Sequence, residues 1–120
     1  MSDQLQLDIE PRKPAVHADP ADIDLLCAWL TGRGWVRAAA IESHFPEWRS
    51  NDHRYVRAIA SQCGGRILSF PGSPGYRLAV EATIDELWHA RNVFTRAGVE
   101  ADARKLEIDT LIHRRGTPMA

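Results

Sequence analysis

Long apolar runs are missing from this chain of 120 residues, and no stretch approaches the roughly 20 apolar residues that a membrane-spanning helix needs. A charged segment followed by an apolar one, the pattern of a secretory leader, is also missing at the N-terminus. Hydrophobic residues make up 44% and charged residues 26% of the chain, which is ordinary for a water-soluble domain. We therefore expect a cytoplasmic protein with one domain, no membrane contact and a modest core.

Cysteine is scarce, and the sequence has no motif for catalysis or for a bound metal. Cys27 and Cys63 lie in apolar helical patterns without metal-ligand spacing, so we expect buried free thiols in a reducing compartment. Glycine-rich phosphate loops and nucleophile motifs are also missing. Asp52-His53 and Glu42-Ser43-His44 lack a motif around them, and we expect these histidines at the surface. The sequence predicts no enzyme and no cofactor.

Lysine does not occur between residues 33 and 77, where seven arginines face three acidic residues and give a net charge of +4. Residues 1–24 carry six acids and two bases, so the formal net charge of −1 for the whole chain hides a basic middle segment. Guanidinium forks suit guanine edges and phosphates. The basic segment indicates a nucleic-acid surface, and the alternative is an arginine-rich face in water.

Residues 1–18 have the composition of a flexible N-terminal tail, with several acids near the start and prolines soon after. Within them, Gln4-Leu5-Gln6-Leu7-Asp8-Ile9 resembles the short peptide with which bacterial replication and repair proteins dock into the sliding clamp. The resemblance implies partner contacts from Gln4, Leu5, Leu7 and Ile9, since an extended peptide can place alternate apolar side chains in a groove. The alternatives are a disordered tail or a short edge strand.

The first helix has a clear start, with Asp19 as N-cap and Pro20 at the first helical position. Apolar residues then follow at helical spacing and predict one buried face: Ile23, Leu26, Cys27 and Leu30. Trp35-Val36 is a candidate for a small strand beside a later hairpin. A second helix over residues 37–44 ends before Pro46.

A third helix is expected over residues 51–63, after a short turn and with Ser50 or Asn51 as its cap. Its apolar residues share one face. The opposite face is small, polar and basic, with Ser50, Arg54, Arg57 and Ser61. Arg49 and His53 flank the helix N-terminus. This composition is typical of a helix that reads DNA, and the alternative is an ordinary amphipathic helix.

A β-hairpin is expected over residues 66–80, with strands at 66–70 and 76–80 around a tip rich in proline and glycine. Arg66 and Arg77 at its edges are candidates for phosphate contacts. The alternative is a hairpin that only covers the core.

The C-terminal segment, residues 82–116, opens with a capping box at Thr83 and Glu86 and continues with a heptad-like seam. We expect one long helix whose distal half pairs with a second copy of the chain. The predicted dimerisation residues are Leu87, Phe94, Ala97, Ala101, Ile108 and Leu111. Gly98 is the weak point, and the alternative is a break there into a helical hairpin.

Residues 20–80, with two helices, an arginine-bearing third helix, the Gly64-Gly65 stop and the hairpin, resemble a winged helix-turn-helix domain. The style is similar to small winged-helix proteins of phages and prophages. The resemblance implies binding of double-stranded DNA by a homodimer without a cofactor. Two departures stand out: the chain is slightly acidic, and the tip of the hairpin has no lysine or arginine.

The sequence therefore predicts a mainly α fold with a small β-hairpin: a tail (1–18), a winged helix-turn-helix domain (19–81) and a long C-terminal helix (82–116). The predicted function is double-stranded DNA binding by a transcriptional or replication regulator, with helix 51–63 in the major groove and hairpin 66–80 as wing. The alternatives are an interaction adaptor, docked to a sliding clamp, or an inhibitor. The predicted DNA-binding residues are Arg49, Ser50, His53, Arg54, Arg57, Ser61, Arg66 and Arg77.

Overall fold

A computed structural model describes residues 16–98 and 103–115, and within these ranges the chain is mainly helical with one antiparallel hairpin. Its elements in chain order are α1 (Pro20–Leu30), α2 (Ala38–His44), α3 (Arg54–Gln62), β1 (Ile67–Leu68), β2 (Arg77–Leu78), α4 (Ile84–Arg96) and α5 (Ala103–Arg115). The prediction of a mainly α fold with a small β-hairpin is confirmed at this level.

The start of α1 follows the predicted capping. The Asp19 carboxylate accepts a hydrogen bond from the Ala21 backbone N–H at 2.9 Å, and Pro20 occupies the first helical position. The predicted apolar face of α1 is buried, with Ile23, Leu26, Cys27 and Leu30.

A first core lies among α1, α2 and α3. Several of its aliphatic side chains are fully excluded from solvent, and burial of each contributes about 1.5–3 kcal/mol to folding. The fully buried members are Leu26, Leu30, Ile41, Val56 and Ile59. This core fixes α3 against the other two helices.

The hairpin is shorter than the sequence predicts, because each strand pairs over two residues only: Ile67 with Leu78, and Leu68 with Arg77. Beyond them, Val36 and Tyr76 exchange two backbone hydrogen bonds of 2.8 Å and form an isolated bridge. The segment Trp35-Val36, expected to form a small strand, thus pairs beside the hairpin through one residue only.

The close approach of the Val36 backbone explains why a glycine precedes Tyr76 in this bridge. Gly75 has a φ of 151°, and a Cβ atom on it would lie 2.4 Å from the Val36 carbonyl oxygen. Only glycine fits at that position.

The predicted tail ends earlier than residue 18. Ala18 is 7% exposed, and its backbone N–H donates to the Gln62 side-chain oxygen at 2.9 Å. The Gln62 amide in turn donates to the Val16 carbonyl oxygen at 2.6 Å. Residues 16–18 are therefore part of the folded domain, held on the last turn of α3.

The prediction of one long C-terminal helix is wrong. Helix α4 ends at Arg96, Gly98 follows in a left-handed conformation with a φ of 78°, and α5 begins at Ala103 and packs back onto α4. Glycine takes this conformation without a Cβ penalty, so it ends the helix where the sequence allowed a break. The predicted capping box at Thr83 and Glu86 is confirmed.

The apolar seam is buried inside the chain. Four of the predicted dimerisation residues join Leu68 in a second core between the hairpin and the two C-terminal helices: Leu87, Phe94, Ile108 and Leu111. Ala97 is exposed, and Ala101 lies outside the described residues. These four side chains therefore have their partners within one copy, and the seam no longer argues for a dimer.

The hairpin takes part in both cores, since Ile67 belongs to the first and Leu68 to the second. Near the C-terminus of α5, the Arg115 guanidinium donates to the backbone carbonyl oxygens of Ala82 at 2.6 Å and Val80 at 2.7 Å. The segment predicted as a separate element is thus packed on the hairpin. Among the helices described, none is long and apolar enough to cross a membrane.

Candidate nucleic-acid interface

Helix α3 begins three residues later than the sequence predicts. Residues Asn51–His53 form a 3₁₀ turn, and Asp52 and His53 both have left-handed backbone conformations, with φ values of 59° and 56°. The N-cap of α3 is therefore His53, which makes no side-chain cap bond, and not Ser50 or Asn51 as predicted. The Ser50 hydroxyl still accepts a hydrogen bond from the Tyr55 backbone N–H at 3.1 Å.

A buried carboxylate holds this turn in place. Glu42 on α2 is 5% exposed, and its Oε1 lies 2.9 Å from Nδ1 of His53. Left-handed conformations cost about 1–3 kcal/mol each outside glycine, so the surroundings must stabilise them. The predicted surface histidine at 53 is exposed, but it also connects α2 to the N-terminus of α3.

Tyr55 fastens the other side of α3 to α1. Its hydroxyl donates to the Asp22 carboxylate at 2.6 Å and accepts from the Asp19 backbone N–H at 3.0 Å. With these bonds and the first core, α3 has a fixed orientation. Its outward residues therefore project from fixed backbone positions.

Three of the predicted arginines are available on the outer side of α3. Arg49 is exposed and Arg54 is partly exposed, and neither forms an ion pair or hydrogen bond with a residue that the structure describes. Arg57 lies 3.0 Å from the Asp52 carboxylate, and both side chains are more than half exposed. An exposed pair of this kind contributes only about 0–1 kcal/mol, so Arg57 can exchange it for another anion.

Arg77 is not available for the phosphate contact that the sequence predicts. Its side chain is 16% exposed, and its guanidinium donates to the Glu86 carboxylate at 3.1 Å and to the Glu81 carbonyl oxygen at 2.9 Å. The same guanidinium lies over the Trp35 ring. Arg77 therefore joins the hairpin to α4 and is not free for a ligand.

Arg66 lies on a different surface from Arg54 and Arg57. It pairs with Asp24 of α1 at 2.8 Å and lines a depression with Cys27 and Val80. The structure thus brings together the predicted residues on and before α3 but not the two arginines of the hairpin.

A groove of about 910 Å³ runs between α3 and the hairpin, and we call it the α3 groove. One wall carries Arg54, Arg57 and Ser61 from α3. Other parts of its lining come from the hairpin and from the facing ends of α4 and α5: Ser69, Phe70, Tyr76, Phe94 and Arg104. The sequence analysis missed this second set.

Strand alternation is the signal that could have indicated Tyr76. It comes directly before Arg77, so the two side chains leave on opposite faces. Burial raises the pKa of the Tyr76 phenol, the charge of Arg57 acts in the opposite direction, and the charge of Glu42 acts in the same direction as burial. Tyr76 and Arg57 line the same groove.

Within the described ranges, no group of three or more histidine, cysteine, aspartate or glutamate side chains could hold a metal ion. Cys27 and Cys63 are buried free thiols, as predicted. The proposed clamp-docking residues Gln4, Leu5, Leu7 and Ile9 lie outside the described residues, and that hypothesis stays a prediction. No family model, curated protein or solved structure matches this chain.

Proposed function

We propose that this chain binds double-stranded DNA through the outer side of α3, as a regulator that acts by occupying its site. The order of elements supports a winged helix-turn-helix domain: α1, the bridge at Val36, α2, α3 and then the hairpin. In that arrangement the N-terminal part of α3 approaches the major groove and the hairpin serves as a wing.

The proposal rests on which arginines around α3 are paired with carboxylates and which are not. Arg66 and Arg77 are paired with carboxylates outside this face, whereas Arg49 and Arg54 have no anionic partner among the described residues. Guanidinium groups without partners, one on α3 and one just before it, suit phosphates and the O6 and N7 atoms of guanine.

The position of each residue on or before α3 indicates which part of the DNA it would contact. Arg54 and Arg57, one turn apart on α3, are the candidates for base contacts. Arg49, Ser50 and His53 precede the helix and are the candidates for phosphate contacts. Ser61 lies farther along the same face and can contact either a base edge or a phosphate.

A homodimer remains part of the proposal only through another surface. The seam residues are buried within one copy, so a second copy would have to contact the chain elsewhere. Binding-site selection on random duplexes, combined with the mass of the complex, tests both points. A palindromic site with a dimer mass supports the regulator, and no enrichment of any site contradicts it.

Arg57→Ala and Arg54→Ala test the base contacts on a selected duplex. Each bidentate contact to guanine is worth about 1–3 kcal/mol, and its loss should relax specificity at one position. Arg114→Ala is the matched control, because Arg114 is an exposed arginine in the last turn of α5. Fluorescence anisotropy that gives equal affinities for wild type and all three variants would contradict the assignment.

A further inference from the structure

The α3 groove is concave, whereas a helix that reads duplex DNA protrudes from its domain. A helix that enters the major groove of B-DNA protrudes from its domain, since that groove is about 12 Å wide and 8.5 Å deep. Here α3 forms one wall of a concave surface, and the hairpin and the facing ends of α4 and α5 form the other sides. A single strand fits between such walls more readily than a whole duplex.

The hairpin side of the groove carries aromatic rings. Tyr76 and Phe70 are both half-buried and line the groove. Phe70 is held edge-on by Trp35 and His89, with ring centroids 6.0 Å and 5.2 Å away. Phe70 therefore lies in a fixed position before a ligand arrives, which lowers the entropic cost of stacking on it.

The Tyr76 hydroxyl differs from that of Tyr55 in its hydrogen bonds. The hydroxyl of Tyr55 both donates and accepts a hydrogen bond within the domain. The Tyr76 hydroxyl makes no hydrogen bond to any residue in the described part of the chain, although its ring is half-buried. Its polar end is thus available to a ligand in the groove.

The α3 wall supplies the matching charge. Arg54 and Arg57 line the groove on the same side, and the Ser61 and Ser69 hydroxyls line it farther along. Proteins that hold single-stranded nucleic acid combine a basic wall for the backbone with aromatic rings on which bases stack. The α3 groove has both components.

We propose that the α3 groove binds unpaired nucleotides, with a base stacked on Tyr76 and the sugar-phosphate backbone along Arg54 and Arg57. This inference rests on the proposed DNA binding and specifies the form of DNA that the groove accepts. The preferred ligand is DNA in which a single-stranded segment adjoins a duplex.

The first test compares three fluorescent DNAs of equal length: a single strand of about 12 nucleotides, its blunt duplex, and a duplex with an unpaired overhang. The overhang should bind at least several times more tightly than the blunt duplex. Tyr76→Leu should lower affinity for the single strand and the overhang about tenfold and leave the blunt duplex within twofold. Tyr76→Phe keeps the ring and should stay close to wild type.

A second measurement does not depend on how well the variants fold. A single strand carrying one 5-iododeoxyuridine should crosslink to Tyr76 of the wild-type protein on irradiation, because photocrosslinking favours a stacked aromatic ring. Crosslinks confined to residues outside the α3 groove would overturn the proposal.

The outcomes separate this inference from the proposed function. A blunt duplex bound as tightly as the overhang overturns the inference and leaves duplex binding standing. A single strand bound without any duplex affinity supports the inference and contradicts the double-stranded function. Absence of binding to all three DNAs overturns both.

Discussion

Arginines close together in the sequence have three different environments in the fold. Arg77 is largely buried in a junction with Glu86, Arg57 has an exposed and replaceable partner, and Arg54 has none in the described residues. The sequence could place basic residues on one side of a helix from periodicity. It could not show which of them carboxylates already neutralise, because those contacts join residues from separate elements.

Asp52→Asn tests whether the carboxylate near the start of α3 weakens DNA binding. Asparagine tolerates the left-handed backbone at this position, and the exposed pair with Arg57 contributes little to stability. We expect DNA affinity to rise several-fold at low salt, with the free energy of unfolding changed by less than about 1 kcal/mol.

Asp24→Asn is the matched control for this change. It removes an equally exposed carboxylate that pairs with Arg66, on a surface away from the α3 groove. Equal gains in affinity from both variants would show that only net charge matters, and would count against a specific role of α3.

Glu86 predicts a dependence of stability on pH. Burial raises the pKa of this carboxyl, but hydrogen bonds from Thr83 and from the Trp35 indole and the charge of Arg77 outweigh burial, so the pKa is lowered. A lowered pKa gives stability that is present above the unfolded value of about 4.3 and lost as the pH falls through the folded value. Urea unfolding of wild type and Glu86→Gln should differ most near pH 7 and converge as the pH falls through the lowered pKa of the folded state.

Glu47→Gln serves as the control for that series, since Glu47 is exposed and has no hydrogen bond to a described residue. A difference between wild type and Glu86→Gln that stays constant across the pH range would contradict the account of this site.

Local patterns were the predictable part at the residue scale. The Asp19 cap and the Thr83–Glu86 capping box depend on residues two or three positions apart, and both are present as expected. The contact between Glu42 and His53 joins residues 11 positions apart, and no local rule predicts it.

At the scale of elements, the two C-terminal helices show the limit of a heptad-like pattern. Apolar residues at alternating spacings of three and four fit a seam between two chains and a seam between two helices of one chain equally well. The conformation of Gly98 decides between them, and the sequence offered glycine only as a possible break.

The effect of Gly98→Ala on stability has opposite signs for a continuous C-terminal helix and for a helical hairpin. In a continuous helix, alanine would stabilise the chain by about 1 kcal/mol relative to glycine. In the helical hairpin, the φ of 78° makes alanine unfavourable by about 1–2 kcal/mol, although no described residue beyond the chain neighbours has an atom within 4 Å of the added Cβ. We expect a loss of stability in denaturant unfolding.

Gly32→Ala calibrates this result, because Gly32 follows α1 with a φ of 76° and also has open space around it. The two variants should lose similar amounts. A gain in stability from Gly98→Ala, together with a loss from Gly32→Ala, would contradict the helical hairpin and support the continuous helix.

At the scale of the whole molecule, two cores share the hairpin, so the helices that precede it and those that follow it are coupled through β1 and β2. The predicted division at residue 82 therefore does not correspond to a gap in packing. The net charge of −1 is similarly a poor guide to a ligand, because the basic excess is concentrated in residues 33–77.

The salt dependence of DNA affinity tests the central proposal most directly. Arg49 is the arginine assigned to a phosphate, so the logarithm of the association constant for a duplex should fall with the logarithm of salt concentration, and Arg49→Ala should reduce the magnitude of that slope by about 0.9. Arg114→Ala should leave the slope unchanged. A flat salt response, with Arg49→Ala equal to wild type, would contradict the assignment of α3 and the residues before it as a DNA-binding surface.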